Sequence, residues 1–254
     1  MNYREFPPGE SLKHIIDTYW FWDNTSAYYK SSILPDCSMD IIFNFGSSFN
    51  SRSDSKTKIN NSDIIVTGMM TSFMKFFMEK NSRLFGIRFK PLGLNYFLNL
   101  GFDNLTNSIL HLNLLISNYY YLKFKNIFLL EEYEEIIEFF ETVFRSLLDS
   151  SNNNIDHDVS LAVFRMSSSP DYSVSRIIEN TGISKRYLEI KFKREIGLSM
   201  KEFMNIKRFM KAKREISCSD KSLTEIAVNN DYYDSSHMIK DFIKYTGLTP
   251  KKWK

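Results

Sequence analysis

The fold of the C-terminal part is decided by the sequence SLTEIAVNNDYYDSSHMIKDFIKYTGLTP, residues 222–250. Ser222 is followed three residues later by a glutamate, which is the spacing of a capping box at the start of a helix. Met238 and Phe242 lie four residues apart, so they share one face of a second helix. Between the two segments lies Asp231, where a tight turn needs a residue that tolerates a positive φ. The stretch therefore predicts a helix, a turn and a second helix.

The same pattern occurs a second time, earlier in the chain. The offset is 49 residues before the turn and 50 after it, because one residue is inserted there. The matched pairs are Val174 with Leu223, Ile177 with Ile226, Ile178 with Ala227, Gly182 with Asp231, Ile183 with Tyr232, Leu188 with Met238, Phe192 with Phe242, Gly197 with Gly247, Leu198 with Leu248, Ser199 with Thr249, and Phe203 with Trp253. Two matched copies indicate two helix-turn-helix units. Further helix starts are predicted at Ser173 and at Thr249-Pro250, where proline would take the first helical position.

The segment between the two copies predicts one continuous helix. Ser199 and Glu202 have capping-box spacing, and the helical pattern continues over Ser199–Ser217. At 1.5 Å per residue, a helix of this length spans roughly 28 Å. The major groove of B-DNA repeats about every 34 Å. We therefore expect the second helices of the two units to reach successive major grooves on one side of a duplex.

The C-terminal part is also the basic part of the chain. Residues 155–254 contain 19 lysines and arginines against 13 acidic residues, whereas residues 1–154 contain 14 against 17. The excess is greatest within Ser173–Arg214, with 12 basic and 4 acidic residues. Such asymmetry favours a polyanion-binding domain attached to another domain. The alternative is a basic helix face that is simply solvated.

The pattern of apolar residues in the N-terminal part predicts strands followed by helices. Strand-like apolar runs occur at Ile33-Leu34, Ile41–Phe45, Ile64–Val66 and Leu84–Phe89. Among them, Gly46–Asp63 is predicted to be a long polar loop. Residues 105–148 have a helical pattern, and the polar stretch Asp149–Asp156 is the predicted boundary between the two parts.

Within the helical segment, Glu131–Leu148 has one apolar face. That face is formed by Tyr133, Ile136, Ile137, Phe140, Val143, Phe144 and Leu147. It can be interpreted as core within the domain or as a face that forms a dimer.

Residues 173–254 resemble the DNA-binding domain of AraC/XylS-type transcriptional regulators. The resemblance is carried by the two copies, and above all by Ser222–Pro250. Two positions depart from the family pattern: Asp231, where the family usually has glycine, and Met238, where it usually has an aromatic residue. The resemblance implies a sequence-specific DNA-binding regulator whose principal partner is double-stranded DNA.

The N-terminal part resembles the sensor half of one subgroup of these regulators. The matching pieces are Leu34-Pro35-Asp36-Cys37, Asp40–Phe43, Gly68, Gly86–Phe89, Pro91 and Gly93. The resemblance implies an α+β chain: a β-barrel-like sensor and dimerisation domain with flanking helices over 1–150, and an all-α domain of two helix-turn-helix units joined by a linker helix over 157–254.

Helical geometry and the family together predict the residues that meet DNA. With Phe192 facing the core, the outer half of its helix carries Arg186, Ile190, Lys193 and Arg194, with Glu189 at its margin. The resemblance implies base-edge contacts for Arg186, Glu189, Ile190, Ser236, His237 and Lys240. Phosphate contacts are expected for Lys185 and Lys193, and the remaining outward positions are Arg194, Ser235 and Lys244. Arginine or lysine can donate to guanine, glutamate can accept from cytosine, and isoleucine can only pack against a thymine methyl.

Simpler roles compete with some of these assignments. Glu189 could pair with Lys185 or Lys193, each four residues away on a solvated face. His237 could be a partly buried structural residue. Lys193 and Arg194 could serve only to neutralise phosphates, without regard to base sequence.

An enzyme is not indicated by any motif. The sequence has no phosphate-binding glycine loop, no zinc-ligand spacing and no nucleophile elbow, so neither a catalytic site, a metal nor a cofactor is predicted. The chain has only two cysteines, Cys37 and Cys218, which are far apart in sequence. It also has no long apolar run and no signal-like start. These features predict a cytoplasmic location without a membrane contact. A second alternative is a non-catalytic scaffold whose basic part binds protein or RNA.

The function of the N-terminal part is less determined by its residues. Aromatic residues and four methionines, Met69, Met70, Met74 and Met78, could line a pocket for an apolar small-molecule effector. The alternatives are a domain that only forms a homodimer and one that binds a protein partner. RNA polymerase is a further partner that the regulator interpretation allows.

Overall fold

A computed structural model describes residues 2–25, 28–52, 58–98, 100–150, 155–168, 178 and 183–254. Within these ranges no helix combines the length and the apolar character that crossing a membrane requires. The described side chains also include no group of three or more histidine, cysteine, aspartate or glutamate residues placed to hold a metal ion.

Six antiparallel strands form the larger sheet of the N-terminal part. Its order is β1-β2-β9-β4-β7-β10. The strands are β1 (Asn2–Phe6), β2 (Ile16–Asn24), β4 (Met39–Asn44), β7 (Ile64–Thr67), β9 (Ser82–Phe89) and β10 (Ile109–His111). β4 and β7 are buried along their whole length. This is why they contain the continuous apolar runs Ile41–Phe43 and Ile64–Val66 rather than alternating patterns.

Four strands form a second sheet, in the order β3-β8-β5-β6. They are β3 (Tyr29–Ile33), β5 (Phe49–Arg52), β6 (Lys58–Ile59) and β8 (Met74–Met78). The prediction of a polar loop over Gly46–Asp63 is therefore wrong for β5 and β6, which lie within it. Phe49 of β5 pairs with Ile59 of β6, and both side chains are buried. The predicted α+β class is confirmed, with two sheets in place of a closed barrel.

Two helices follow the sheets and cover the larger one. They are α1 (Asn118–Lys125) and α2 (Tyr133–Ser150). The apolar face of α2 packs on the sheet: the ring centroid of Phe140 lies 4.9 Å from that of Phe43, and Phe144 contacts Phe89 edge-to-face at 5.6 Å. The face is therefore core within the chain, and its buried side chains are not a surface for a second copy.

The C-terminal part is helical throughout its described residues. Its helices are α3 (His157–Ser168), α4 (Lys185–Ile196), α5 (Met200–Cys218), α6 (Leu223–Asn229), α7 (Ser235–Thr246) and α8 (Pro250–Trp253). The linker helix α5 begins with the predicted capping box of Ser199 and Glu202, and α6 begins with that of Ser222. Thr249 is the N-cap of α8 and Pro250 is its first residue, as predicted. The predicted helix start at Ser173, its apolar positions Val174 and Ile177, and Gly182 lie outside the described residues.

The two parts share one continuous core. A single cluster of buried apolar residues extends from Leu12 in the N-terminal part to Tyr245 in α7. Cys37, in the loop before β4, donates a hydrogen bond from its thiol to the Phe203 carbonyl oxygen in α5, at 3.8 Å. Burial raises the pKa of this thiol. The linker helix is thus packed directly against the sheet domain.

Candidate nucleic-acid interface

Helix α4 has a buried side and a solvent side. Leu188, Phe192 and Ile196 are fully buried and fix its inner face. The Ser184 hydroxyl caps its start by accepting a hydrogen bond from the Tyr187 backbone N–H at 3.3 Å. Its end is capped by a glycine with a φ of +87°. The helix is therefore held firmly by its inner face and its two ends.

All six predicted positions of α4 lie on its solvent side. They are Lys185, Arg186, Glu189, Ile190, Lys193 and Arg194. Ile190 is 60% exposed, although it is a large apolar side chain. The Lys185 ammonium lies 3.9 Å from the Glu189 carboxylate, so the alternative role of Glu189 in an exposed ion pair is realised in the free chain.

A groove lies between α4 and the start of α5. It has a volume of about 600 Å³ and is lined by Lys185, Arg186, Glu189, Ile190, Lys193, Ser199, Met200, Lys201, Met204 and Asn205. The last five residues belong to the cap or first turns of the linker helix. Sequence reasoning missed Lys201 and Asn205, because the pattern that located the outer face of α4 carries no information on which face of α5 lies beside it.

Helix α7 repeats this arrangement in the second unit. Met238, Phe242 and Tyr245 are buried, while Asp234 caps the start by accepting a hydrogen bond from the His237 backbone N–H at 2.7 Å. Four of the predicted positions are exposed, namely Ser236, His237, Lys240 and Lys244. The fifth, Ser235, is half-buried.

His237 is exposed, but it also has a structural contact. Its ring packs edge-to-face on Tyr232, with 5.3 Å between the ring centroids. The structural alternative for this histidine is therefore partly realised, because one side of the ring packs on the protein and the other is open to solvent.

The turn of the second unit depends on Asp231 and on Arg208 of the linker helix. Asp231 adopts a φ of +56°, the left-handed conformation that its alignment with a glycine predicts. Arg208 donates a hydrogen bond to the Asp231 carbonyl oxygen at 3.3 Å, and its guanidinium lies 4.3 Å from the centroid of the Tyr232 ring. Burial raises the pKa of Tyr232 to about 12. Arg208, which the sequence pattern does not single out, anchors the second turn to the linker.

The last turns of α4 and α7 carry basic residues toward the same carboxylate. Partial burial acts to raise the pKa of Glu202, but hydrogen bonds from Ser199 and the charges of Lys193 and Lys244 lower it. Lys193 belongs to α4 and Lys244 to α7. Lys193 and Lys244 thus both add positive charge to the surroundings of Glu202.

Two family descriptions match the chain. Residues 177–254 match a helix-turn-helix domain family, and residues 4–111 match a family described as a domain of unknown function, DUF6597. An HTH-type transcriptional regulator of Staphylococcus aureus strain MSSA476 is 30% identical over 84 residues. These residues are 33% of this chain and 11% of that regulator, so the chain matches only about a tenth of the relative's length.

Solved structures resemble the whole chain in fold. ToxT from Vibrio cholerae matches with a TM-score of 0.52 and 12% identity, covering 100% of this chain and 98% of ToxT. ToxT from strain O395, bound to (E)-4-(8-methylnaphthalen-1-yl)but-3-enoic acid, matches with a TM-score of 0.53 and 13% identity, covering 92% and 97% of the two chains. At these identities the likeness shows a shared two-domain fold.

Proposed function

We propose that this chain, whose C-terminal part belongs to the helix-turn-helix domain of AraC-type regulators, is a sequence-specific DNA-binding transcriptional regulator. The observation that carries the proposal is the repeated division of α4 and α7 into a buried apolar face and an exposed polar or basic face. The proposal divides the chain into a sensor domain over 1–150 and a DNA-binding domain over 157–254.

The exposed residues have different roles in this proposal. Arg186, Glu189 and Ile190 of α4, together with Ser236, His237 and Lys240 of α7, read base edges. Phosphates are bound by Lys185, Lys193, Arg194 and Lys244, which fix the position of the helices without reading sequence. Lys201 and Asn205 join them, because they line the groove beside α4. On binding DNA, Glu189 exchanges its exposed ion pair with Lys185 for a base contact, at small cost since exposed pairs contribute little.

The linker helix sets the distance between the two reading helices. α5 contains 19 residues, which corresponds to roughly 28 Å at 1.5 Å per residue. This is close to the repeat of the major groove, about 34 Å. A single chain would therefore read two consecutive half-sites on one side of the duplex.

The N-terminal domain would control this activity by binding a small-molecule effector. ToxT, which shares the fold, has been solved with a naphthyl-butenoic acid bound. An effector can change DNA binding only if it prefers one arrangement of the domains.

A regulator of this kind acts in the cytoplasm. RNA polymerase and a second copy of the chain are further partners in this proposal.

Selection of bound sequences from random duplex DNA tests the proposal. The full chain is mixed with a randomised duplex library, the bound fraction is amplified, and the cycle is repeated. We expect a consensus of two half-sites about 10 base pairs apart from centre to centre, one for each reading helix. A bound pool that stays random, or a protein that ignores duplex DNA at low salt, would contradict sequence-specific binding.

A further inference from the structure

A small cavity lies between the two sheets of the N-terminal domain. Its volume is about 140 Å³, and both sheets contribute to its walls. The lining residues that matter most are Tyr3, Trp20, Trp22, Asp40, Phe76 and Arg88. The cavity is comparable in size to an engineered protein cavity of about 150 Å³ that binds benzene. It is therefore large enough for a compact organic molecule.

Aromatic rings from opposite sheets form much of the wall. Trp20 and Trp22 on β2 are 7% and 6% exposed, and Phe49 and Phe76 face them from the smaller sheet. The backbone makes room for this arrangement: a Cβ atom at Gly86 would lie 2.0 Å from an atom of the Trp20 indole. The absence of a side chain at Gly86 lets the indole lie flat on β9.

The charged side of the cavity is formed by one carboxylate, that of Asp40, and one guanidinium, that of Arg88. Asp40, which is 4% exposed, accepts hydrogen bonds at its Oδ1 atom from Trp20 Nε1 at 3.3 Å and from Arg88 Nε at 3.2 Å. Asp36 lies 3.7 Å from the same Arg88 nitrogen. Among the described residues, no donor is hydrogen-bonded to Oδ2 of Asp40. Two carboxylates thus face one guanidinium, but only Asp40 of the two lines the cavity. Lys213 of α5, which is near Asp36 and Arg88, does not line it either.

We propose that this cavity binds a small organic cation and is the effector site of the regulator. The proposal rests on the function proposed above and adds the chemical class of the effector. Aromatic faces attract cations through their quadrupoles, and a buried carboxylate with an unoccupied oxygen supplies the opposite charge. An organic acid is the competing occupant, but it would have to bind an arginine that already faces two carboxylates.

Three probes of nearly equal shape separate charge from size. They are choline, its neutral isostere 3,3-dimethylbutan-1-ol, and the anion 3,3-dimethylbutanoate. Each is titrated into the full chain, without DNA, by isothermal calorimetry. We expect choline to bind about tenfold more tightly than the neutral alcohol, in line with a desolvated cation–π contact, and the anion to bind most weakly.

Two variants test the site itself. Asp40→Asn should weaken choline binding by at least about tenfold, and Asp17→Asn, at an exposed aspartate of β2, should leave it unchanged. Phe76→Leu keeps an apolar wall but removes one ring. It should weaken choline binding while leaving the affinity for the neutral alcohol nearly unchanged. If Asp40→Asn does not fold, Phe76→Leu tests the site in its place.

The outcomes that overturn the proposal differ from those that overturn DNA binding. Tightest binding by the anion, equal binding of choline and the alcohol, or no heat from any probe at millimolar concentration would each overturn the cation site. Choline binding that leaves DNA affinity unchanged would overturn its role as effector site. A chain that binds choline and no duplex DNA would keep the cation site and contradict the proposed function instead.

Discussion

The side-chain amide of Asn95 donates a hydrogen bond to the carbonyl oxygen of Glu195, 3.1 Å away, at the C-terminal end of α4. Nearby, the Thr106 hydroxyl donates to the Gly197 carbonyl oxygen. Both donors belong to the sheet domain, and both acceptors are among the backbone carbonyls at the helix end, which need partners from outside the helix. The sheet domain therefore completes the end of the helix that we propose reads DNA.

The Thr106 hydrogen bond should contribute measurably to stability. Thr106→Val keeps the shape of the side chain and removes the donor, so the Gly197 carbonyl loses its partner. We expect the free energy of unfolding to fall by about 1 kcal/mol, the usual size for a neutral hydrogen bond, as measured by urea denaturation. Thr224→Val, at an exposed threonine of α6, is the control. Equal effects of the two changes would show that the contact contributes nothing specific.

The glycines that end α4 and α7 should differ in how they tolerate alanine. Gly197 and Gly247 adopt φ values of +87° and +73°, so alanine costs about 1–2 kcal/mol at either position. A Cβ atom at Gly197 would also lie 2.8 Å from the Phe102 backbone oxygen, whereas at Gly247 it would meet the movable ring of Phe73 at 2.7 Å.

Gly197→Ala should therefore lower the free energy of unfolding more than Gly247→Ala does. Urea denaturation of the two variants, side by side, measures the difference. A smaller loss for Gly197→Ala would mean that the backbone near Phe102 adjusts at little cost.

How much of this structure the sequence determines depends on the range of the interaction. Capping boxes and the left-handed turn residue are local, so Ser199, Ser222 and Asp231 could be identified from spacing alone. Buried faces of the C-terminal helices follow from a period of 3.6 residues, and the exposure of the predicted interface residues follows from it as well.

Features made by two distant segments could not be predicted in this way. β5 was missed because four residues with polar neighbours give a weak pattern, and its burial comes from pairing with β8. Of the four methionines predicted to line a pocket, Met78 lines the cavity, Met70 and Met74 belong to the same apolar cluster as its walls, and Met69 lies in the main core. The cavity walls come from both sheets, so no single stretch of sequence contains them.

Base-reading and phosphate-binding residues should respond differently to mutation. Arg186→Ala should cost about 1–3 kcal/mol at one base position of the selected site, because a bidentate contact to guanine is lost. Lys193→Ala should weaken binding to all sequences alike and lower the salt slope by about one. Fluorescence anisotropy titrations on selected and scrambled duplexes at several salt concentrations measure both effects.

Lys80→Ala, at an exposed lysine of the sheet domain, is the control and should change neither quantity. Equal losses on the selected and scrambled duplexes for Arg186→Ala and Lys193→Ala would remove Arg186 from the base-reading set and leave both residues as phosphate contacts.

Asp40 should make the stability of the chain depend on pH. Burial raises the pKa of its carboxyl to about 6 from the ordinary 3.8, and the facing charge of Arg88 only partly opposes this, with Asp36 acting in the same direction as burial. Between these two pH values the folded chain holds a proton at Asp40 that the unfolded chain has released. The Asp40 carboxyl therefore contributes its full stabilisation to the folded chain below about pH 4, and this stabilisation is lost as the pH rises through 6.

Asp40→Asn isolates that contribution, because the variant has no proton to lose at this position. The free energy of unfolding of the native chain minus that of the variant should fall between pH 4 and 6, by at most about 3 kcal/mol, and level off above pH 7. Urea denaturation at a series of pH values measures it, and Asp17→Asn shows how much of the difference comes from a general change in charge. A difference that rises with pH over this interval would mean that Arg88 stabilises the ionised carboxylate by more than burial destabilises it.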